Sequence, residues 1–192
     1  MSKSVTYFLF LDYETTGKPD HKPLEMAWLL TDSELNPLFD VQLAVIRQSN
    51  YVLHDEVLKM HTENGLLREV AKSTLETHQV CYMARENLRP TLEQEGARIV
   101  LAGFSCHYDR YEVMRPYMPE LDRILHYRLF DVSTLRTTYH HWVSNLEGKK
   151  FEREHRAKAD VLASWQVART FKGLFQVYMP QLDVIRAQGV LI

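Results

Sequence analysis

The chain has 192 residues, of which 45% are hydrophobic and 25% charged, with a formal net charge of −2. That size and balance suit one ordinary globular domain spanning 1–192, and they exclude a long basic track for nucleic acid. The two cysteines, Cys81 and Cys106, have neither metal-ligand spacing nor a disulfide framework, which points to a reducing, cytoplasmic setting.

Taken in chain order, residues 5–12 read as a buried first strand rich in aromatic and β-branched side chains. This apolar run is short and ends in acids, so it reads as neither a signal peptide nor a membrane span, and no membrane partner is expected. "LEMAWLLTD" (24–32) and "PLFDVQLAVI" (37–46) read as second and third strands, joined by the turn residues "SELNP" into an antiparallel meander. Short helices over 54–65 and 66–73 break near Asn64-Gly65. A longer helix follows, opened by a capping box Ser73-Thr74-Leu75-Glu76 and running to Glu95, with a kink at Pro90. "ARIVLAG" (97–103) has the pattern of a buried parallel strand, and 109–118 is helical up to its prolines. A last short strand (128–133), a helix (134–143), a polar loop (144–154) and a helix from 156 to 178 complete the sequence, with an apolar tail expected to dock. Strands first and then alternating strand and helix predict a mixed α/β sheet, three antiparallel strands followed by parallel ones, flanked by helices.

The chemistry concentrates at a few acids. In "LDYETTG", Asp12 and Glu14 stand at i and i+2 on a strand, so both carboxylates leave the same face. Asp109 follows the buried strand over 97–103, and "HRAKAD" sets His155 five residues before Asp160 at the start of the last helix. Each feature alone has a bland explanation: a helix-capping acid, a surface helix turn, a strand reaching water. Together they form an ordered set of four acids and one imidazole. Converging carboxylates need cations, and hard divalent ions with oxygen ligands are the natural choice. Two such ions roughly 3.5–4 Å apart can clamp the attacking and leaving oxygens of a phosphodiester. A histidine can take the proton of the attacking water.

The motifs "DYETTG", "AGFSCHYDR" and "HRAKAD" resemble those of the DEDDh exonucleases, a branch of the RNase H-like superfamily. "KMHTENGL" (59–66) and "YMPELDRILHYRLFDVSTL" (117–135) are similar to oligoribonucleases within that branch, and the resemblance runs from about residue 6 to 178. It implies an RNase H-like exonuclease fold with a five-stranded mixed sheet, and release of 5′-mononucleotides from the 3′ end of short single-stranded RNA. By the same resemblance, Asp12, Glu14, Asp109 and Asp160 would hold two Mg²⁺ or Mn²⁺ ions, with Asp12 bridging and His155 as general base. His61 would pack against a base, and Ser105, Arg128 and Ser133 would cap the 5′ phosphate. Tyr127 and Arg128 would come from the second subunit of a homodimer. A short substrate also fits the weak net charge, because few phosphates mean little counterion release.

The chain departs from that pattern at three places. Lys18 stands where these enzymes commonly carry an apolar wedge against a base, so its ammonium either meets a phosphate or lies in solvent. Phe104 replaces the usual asparagine and reads as core in preference to a stacking surface. "DYETTG" is also seen in DNA-directed members of the superfamily, so the alternatives are an exonuclease on single-stranded DNA or a nucleic-acid-binding module without catalysis. Among the remaining features, His140-His141 read as a surface pair and the aromatics of the last helix as core and interface.

Overall fold

A computed structural model of the protein describes residues 4–142 and 154–187, with side chains as far as Val177. The strands are β1 (Val5–Thr15), β2 (Pro23–Thr31), β3 (Gln42–Val45), β4 (Ala97–Gly103) and β5 (Leu129–Asp131). They form one sheet in the order β3-β2-β1-β4-β5. β1 pairs antiparallel with β2, β2 antiparallel with β3, β1 parallel with β4, and β4 parallel with β5. This is the mixed five-stranded arrangement expected from the sequence.

Strand alternation divides the core in two. Leu9, Leu11, Tyr13, Met26, Trp28, Leu30, Ile99 and Leu101 lie in one buried cluster. The intervening Phe10, Ala27, Leu29 and Ala102 lie in the other. The first cluster is covered by α3 (Thr77–Leu92), which contributes Val80, Ala84 and Leu88. The second is covered by α8 (Ala157–Ala187), which contributes Ala157, Val161 and Ala168. Between these lie α1 (Asp55–Glu63) and α2 (Leu66–Lys72), which follow the meander. After β4 come α4 (Cys106–Tyr108), a π-helical turn (Asp109–Met114), α5 (Arg115–Tyr117) and α6 (Pro119–Asp122). α7 (Val132–Trp142) follows β5. Both cysteines are buried as free thiols, and burial pushes the Cys106 thiol up to about 12, so neither is a ready nucleophile.

Several sequence boundaries are corrected. β1 runs on to Thr15, so Asp12 and Glu14 lie inside a strand that is still pairing with β2. β3 shrinks to Gln42–Val45, with only an isolated bridge between Thr31 and Pro37 before it. Ser73 does not open the long helix. Its hydroxyl donates to the Val45 carbonyl at 2.6 Å and accepts the Leu75 amide, whereas Glu76 is the cap and its amide donates to Gln79 Oε1 at 2.8 Å. Pairing with a strand carbonyl outcompeted the local cap. The helix expected from 109 starts earlier and passes through the π-helical turn. α8 continues to Ala187, past the expected end at 178. Apart from Glu154, the polar loop over 144–154 lies outside the described residues, as do Trp142's successor and the tail beyond Ala187. Among the described residues, no helix is long and apolar enough to cross a membrane.

Leu101 is fully buried on β4, the strand paired on both sides. Leu101→Ala is expected to cost about 2–5 kcal/mol by lost burial and the cavity left behind, measured as a lower denaturation midpoint with an unchanged slope.

Candidate active site

The face of β1 that carries Phe10 continues through Asp12 and Glu14. Strand period thus converts an apolar face, covered by α8, into an acidic one at the end of the same strand. Opposite lies the first turn of α8, which supplies Asp160. One carboxylate oxygen from each of Asp12, Glu14 and Asp160 lies within 4.8 Å of the others. Glu14 and Asp160 are buried and Asp12 is half-buried.

Asp109 stands on the π-helical turn after β4, outside the group of three that lie within 4.8 Å of one another. It is buried, and its Oδ1 accepts the Tyr13 amide at 3.1 Å, on the residue between the two β1 acids. Gly103 allows β4 to pass that close. A Cβ there would lie 2.8 Å from the Leu11 carbonyl oxygen, and its φ of 153° suits glycine, so a side chain would push back the backbone that presents Asp12.

Burial and mutual repulsion distort the acidity of this group. Desolvation pushes Glu14 up to about 8, with Asp160 and Glu25 raising it further and Arg156 opposing them. Desolvation pushes Asp109 up to about 7, against the lowering effect of the Tyr13 amide. Carboxyls held protonated by their neighbours are ready to exchange those protons for a cation, and an all-oxygen donor set suits a hard divalent ion. The residues present therefore fit divalent metal.

The fifth expected residue, His155, is not on the helix. It precedes Ala157 with φ of 49° and an exposed side chain, and it shares an open groove with Lys59, Met60 and Glu63. His61 of α1 is fully buried, and its Nε2 lies 3.0 Å from the Thr15 carbonyl, to which it donates. Burial holds its pKa below the usual 6.5, so its approach of 3.9 Å to Glu14 Oε2 involves a neutral ring. The imidazole in this arrangement braces the end of β1 and offers no surface of its own.

Ser105, just before α4, and Ser133 of α7 are brought together, with their hydroxyls 3.3 Å apart. Asp131 organises them by accepting the Ser105 amide at 3.0 Å and the Ser133 amide at 2.9 Å. Tyr127 and Arg128 are exposed on the segment leading into β5, and the Arg128 guanidinium stands 5.6 Å over the Tyr127 ring. Lys18 is exposed at the tip of the loop after β1. The threonines of "DYETTG" hold that loop: Thr15 Oγ1 accepts the Gly17 amide and Thr16 Oγ1 accepts the Lys22 amide. The Tyr108 hydroxyl reaches His21 Nδ1 at 2.6 Å. Phe104 is buried in the core cluster with Phe10 and Val132, as expected, and the Arg136 guanidinium covers its ring at 5.5 Å.

Sequence reasoning missed Glu25 and Arg156. Glu25 stands directly opposite Glu14 in the β1–β2 register and is fully buried, a like-charge pair that destabilises a sheet unless compensated. Compensation comes from Arg156, whose Nη2 donates to Glu25 Oε1 at 2.6 Å. The signal was visible as the one acid inside the apolar run "PLEMAWLLT".

The RNase T exonuclease family model matches residues 9–168 of this chain. The fold and the carboxylate cluster are those of a nuclease domain, and the chain belongs to this exonuclease family. It is similar to the oligoribonuclease of Francisella tularensis subsp. novicida, 30% identical over 162 residues that cover 82% of this chain and 88% of the relative. It is also similar to the oligoribonuclease of Chromobacterium violaceum, 30% identical over 181 residues that cover 91% and 98% respectively. Among solved structures, exonuclease I of Methylocaldum szegediense superposes with a TM-score of 0.66 at 20% identity, covering 94% of this chain and 42% of that one. E. coli exonuclease I in complex with a dT13 oligonucleotide gives 0.62 at 16% identity, covering 95% and 43%. The chain spans about two fifths of these exonuclease I chains, and at such identities the likeness shows the fold.

The raised pKa values of Glu14 and Asp109 fix the sign of a stability test. Without divalent cation, the folded protein binds more protons than the unfolded chain between the unfolded carboxyl values and about 8, so the stability these groups contribute is lost as pH rises through 7 to 8. In chelator, the melting temperature is expected to fall between about pH 4 and 8 and to level off above that. Mg²⁺ or Mn²⁺ at a hundredfold excess over Kd should add about 2.7 kcal/mol, several degrees, and flatten that fall. Thermal unfolding scans across pH with and without cation check both. A flat profile in chelator with no cation shift would contradict the reading.

Proposed function

We propose that this chain is a 3′-to-5′ exoribonuclease that hydrolyses short RNA oligonucleotides and dinucleotides to 5′-mononucleotides, acting in the cytoplasm as a single exonuclease domain. The observation that carries the reading is the convergence of Asp12, Glu14 and Asp160 within 4.8 Å, in a chain matching a curated oligoribonuclease over 98% of its length.

Asp12, Glu14 and Asp160, with Asp109 beside them, would hold two Mg²⁺ or Mn²⁺ ions. Such ions supply positive charge at the attacking and leaving oxygens of the scissile phosphate. His155 would accept the proton of the attacking water, its side chain being exposed to solvent. The paired hydroxyls of Ser105 and Ser133, with Arg128, offer donors to the terminal 5′ phosphate of a short substrate. Tyr127 supplies a flat exposed ring for stacking, and in a homodimer Tyr127 and Arg128 complete the site of the neighbouring subunit. Lys18, exposed on the loop after β1, would meet a backbone phosphate. His61 supports the base-binding wall through the Thr15 carbonyl. Capping both substrate ends would select for length without the basic surface that a long strand needs, consistent with the net charge of −2.

A second reading, an exonuclease on single-stranded DNA, is favoured by the "DYETTG" form and by a fold shared with an exonuclease I bound to a dT13 oligonucleotide. A binding module without catalysis is disfavoured because none of the five positions is missing.

Turnover of 5′-phosphorylated RNAs of two, five and twenty nucleotides, beside matched deoxy-oligonucleotides, separates these readings. The dinucleotide RNA should be hydrolysed fastest; equal or better turnover of the twenty-mer would sink length selection, and better turnover of DNA would favour the second reading. Asp12→Ala should lower kcat by roughly a thousandfold or more, since it removes a ligand from the cation site. Undiminished activity in that variant would refute the metal assignment.

A further inference from the structure

We infer that Asn64, anchored with Arg156 in a half-buried ion-pair network, is a positioning residue that sets the placement of His155. The inference rests on the exonuclease reading, in which His155 is the base.

His155 has an exposed side chain and a left-handed backbone, φ 49°, a conformation uncommon for a residue with a side chain and kept only where the surroundings hold it. The backbone therefore decides where the imidazole stands. Two contacts fix that backbone. Asn64 Nδ2 donates to the His155 carbonyl at 2.7 Å, across 91 residues of sequence. The next residue, Arg156, is held against the sheet: its Nε and Nη2 donate to Glu25 Oε1 at 3.0 and 2.6 Å. Arg156 also makes a second two-pronged contact, Nη1 to Glu69 Oε1 at 3.0 Å and Nη2 to Glu69 Oε2 at 2.8 Å, while Nη1 reaches the Asn64 carbonyl at 3.4 Å.

The network closes on itself. Glu25 Oε2 accepts the Ala157 amide at 2.8 Å, so the acid opposite Glu14 also tethers the start of the helix that carries Asp160. Asn64 is fixed in turn, because its Oδ1 accepts the Leu66 amide at 3.0 Å at the start of α2. Asn64, at the α1–α2 junction, therefore holds both residues of the His155–Arg156 peptide, His155 by its carbonyl and Arg156 by its guanidinium, and neither Asn64 nor Arg156 lies in the carboxylate trio. Loss of the amide donor leaves the trio and its cations in place but lets the imidazole wander. A displacement of about 1 Å at a catalytic group can cost up to a hundredfold in rate.

The test is a double-mutant cycle on the intact protein with a short 5′-phosphorylated RNA, using Asn64→Ala, His155→Ala and the double variant. Asn64→Asp is run alongside, because it keeps the acceptor for the Leu66 amide and replaces the donor to the His155 carbonyl with a charged oxygen. Either change at Asn64 should lower kcat about tenfold or more, with KM and the half-saturating Mg²⁺ concentration within about twofold. On the His155→Ala background the same changes should alter kcat by less than about twofold, since a residue acting through His155 has nothing left to position. A full further loss in the double variants, or unchanged kcat in the single ones, overturns the inference while leaving the exonuclease reading intact. Absence of hydrolysis by the wild-type protein overturns that reading and the inference with it.

Discussion

The structure is organised around electrostatic repulsion among buried acids at the end of β1. Asp12, Glu14 and Asp160 approach within 4.8 Å, Asp109 bonds the amide between the first two, and Glu25 faces Glu14 across the ladder. Glu25 has its charge answered by Arg156, whose guanidinium is itself held more strongly charged by its bonds to Glu25 and Glu69. The fold separates two problems. Behind the site, Glu25 and Arg156 form a permanent pair that locks β2 to the start of α8. In front, Glu14 and Asp109 are left with strongly raised pKa values, a cost that a bound cation relieves.

This arrangement explains why so much of the chain is devoted to holding a short stretch of strand. Phe10 and the helix α8 bury the same face of β1 that turns acidic two residues later, so the core and the site share one strand and one helix. Gly103 brings β4 against the Leu11 backbone, and the π-helical turn that follows delivers Asp109 to Tyr13. His61 braces the strand end from α1. A unit built this way transmits core packing directly to ligand geometry, and loosening the strand would spread the acids before it unfolded the protein.

Much of this was legible in the sequence, because strand period and motif order are local properties. The i, i+2 spacing of Asp12 and Glu14 placed them on one face, and apolar runs with turn residues gave the five strands in their order. What escaped were features decided by pairing across long separations. Glu25 gained its meaning only from the register that sets it against Glu14 and from Arg156, 131 residues away. Ser73 was taken from a helix cap by a carbonyl of β3. His155 was expected beside the start of the helix, and local spacing could not reveal its left-handed backbone or the Asn64 amide bonded to its carbonyl.

The central claim is that the carboxylate cluster exists to hold divalent cation. It is tested most directly by soaking crystals in Mn²⁺ and mapping its anomalous scattering. The account predicts strong peaks within about 2–2.6 Å of carboxylate oxygens of Asp12, Glu14 and Asp160. Saturating Mn²⁺ with no peak among these three side chains would contradict it.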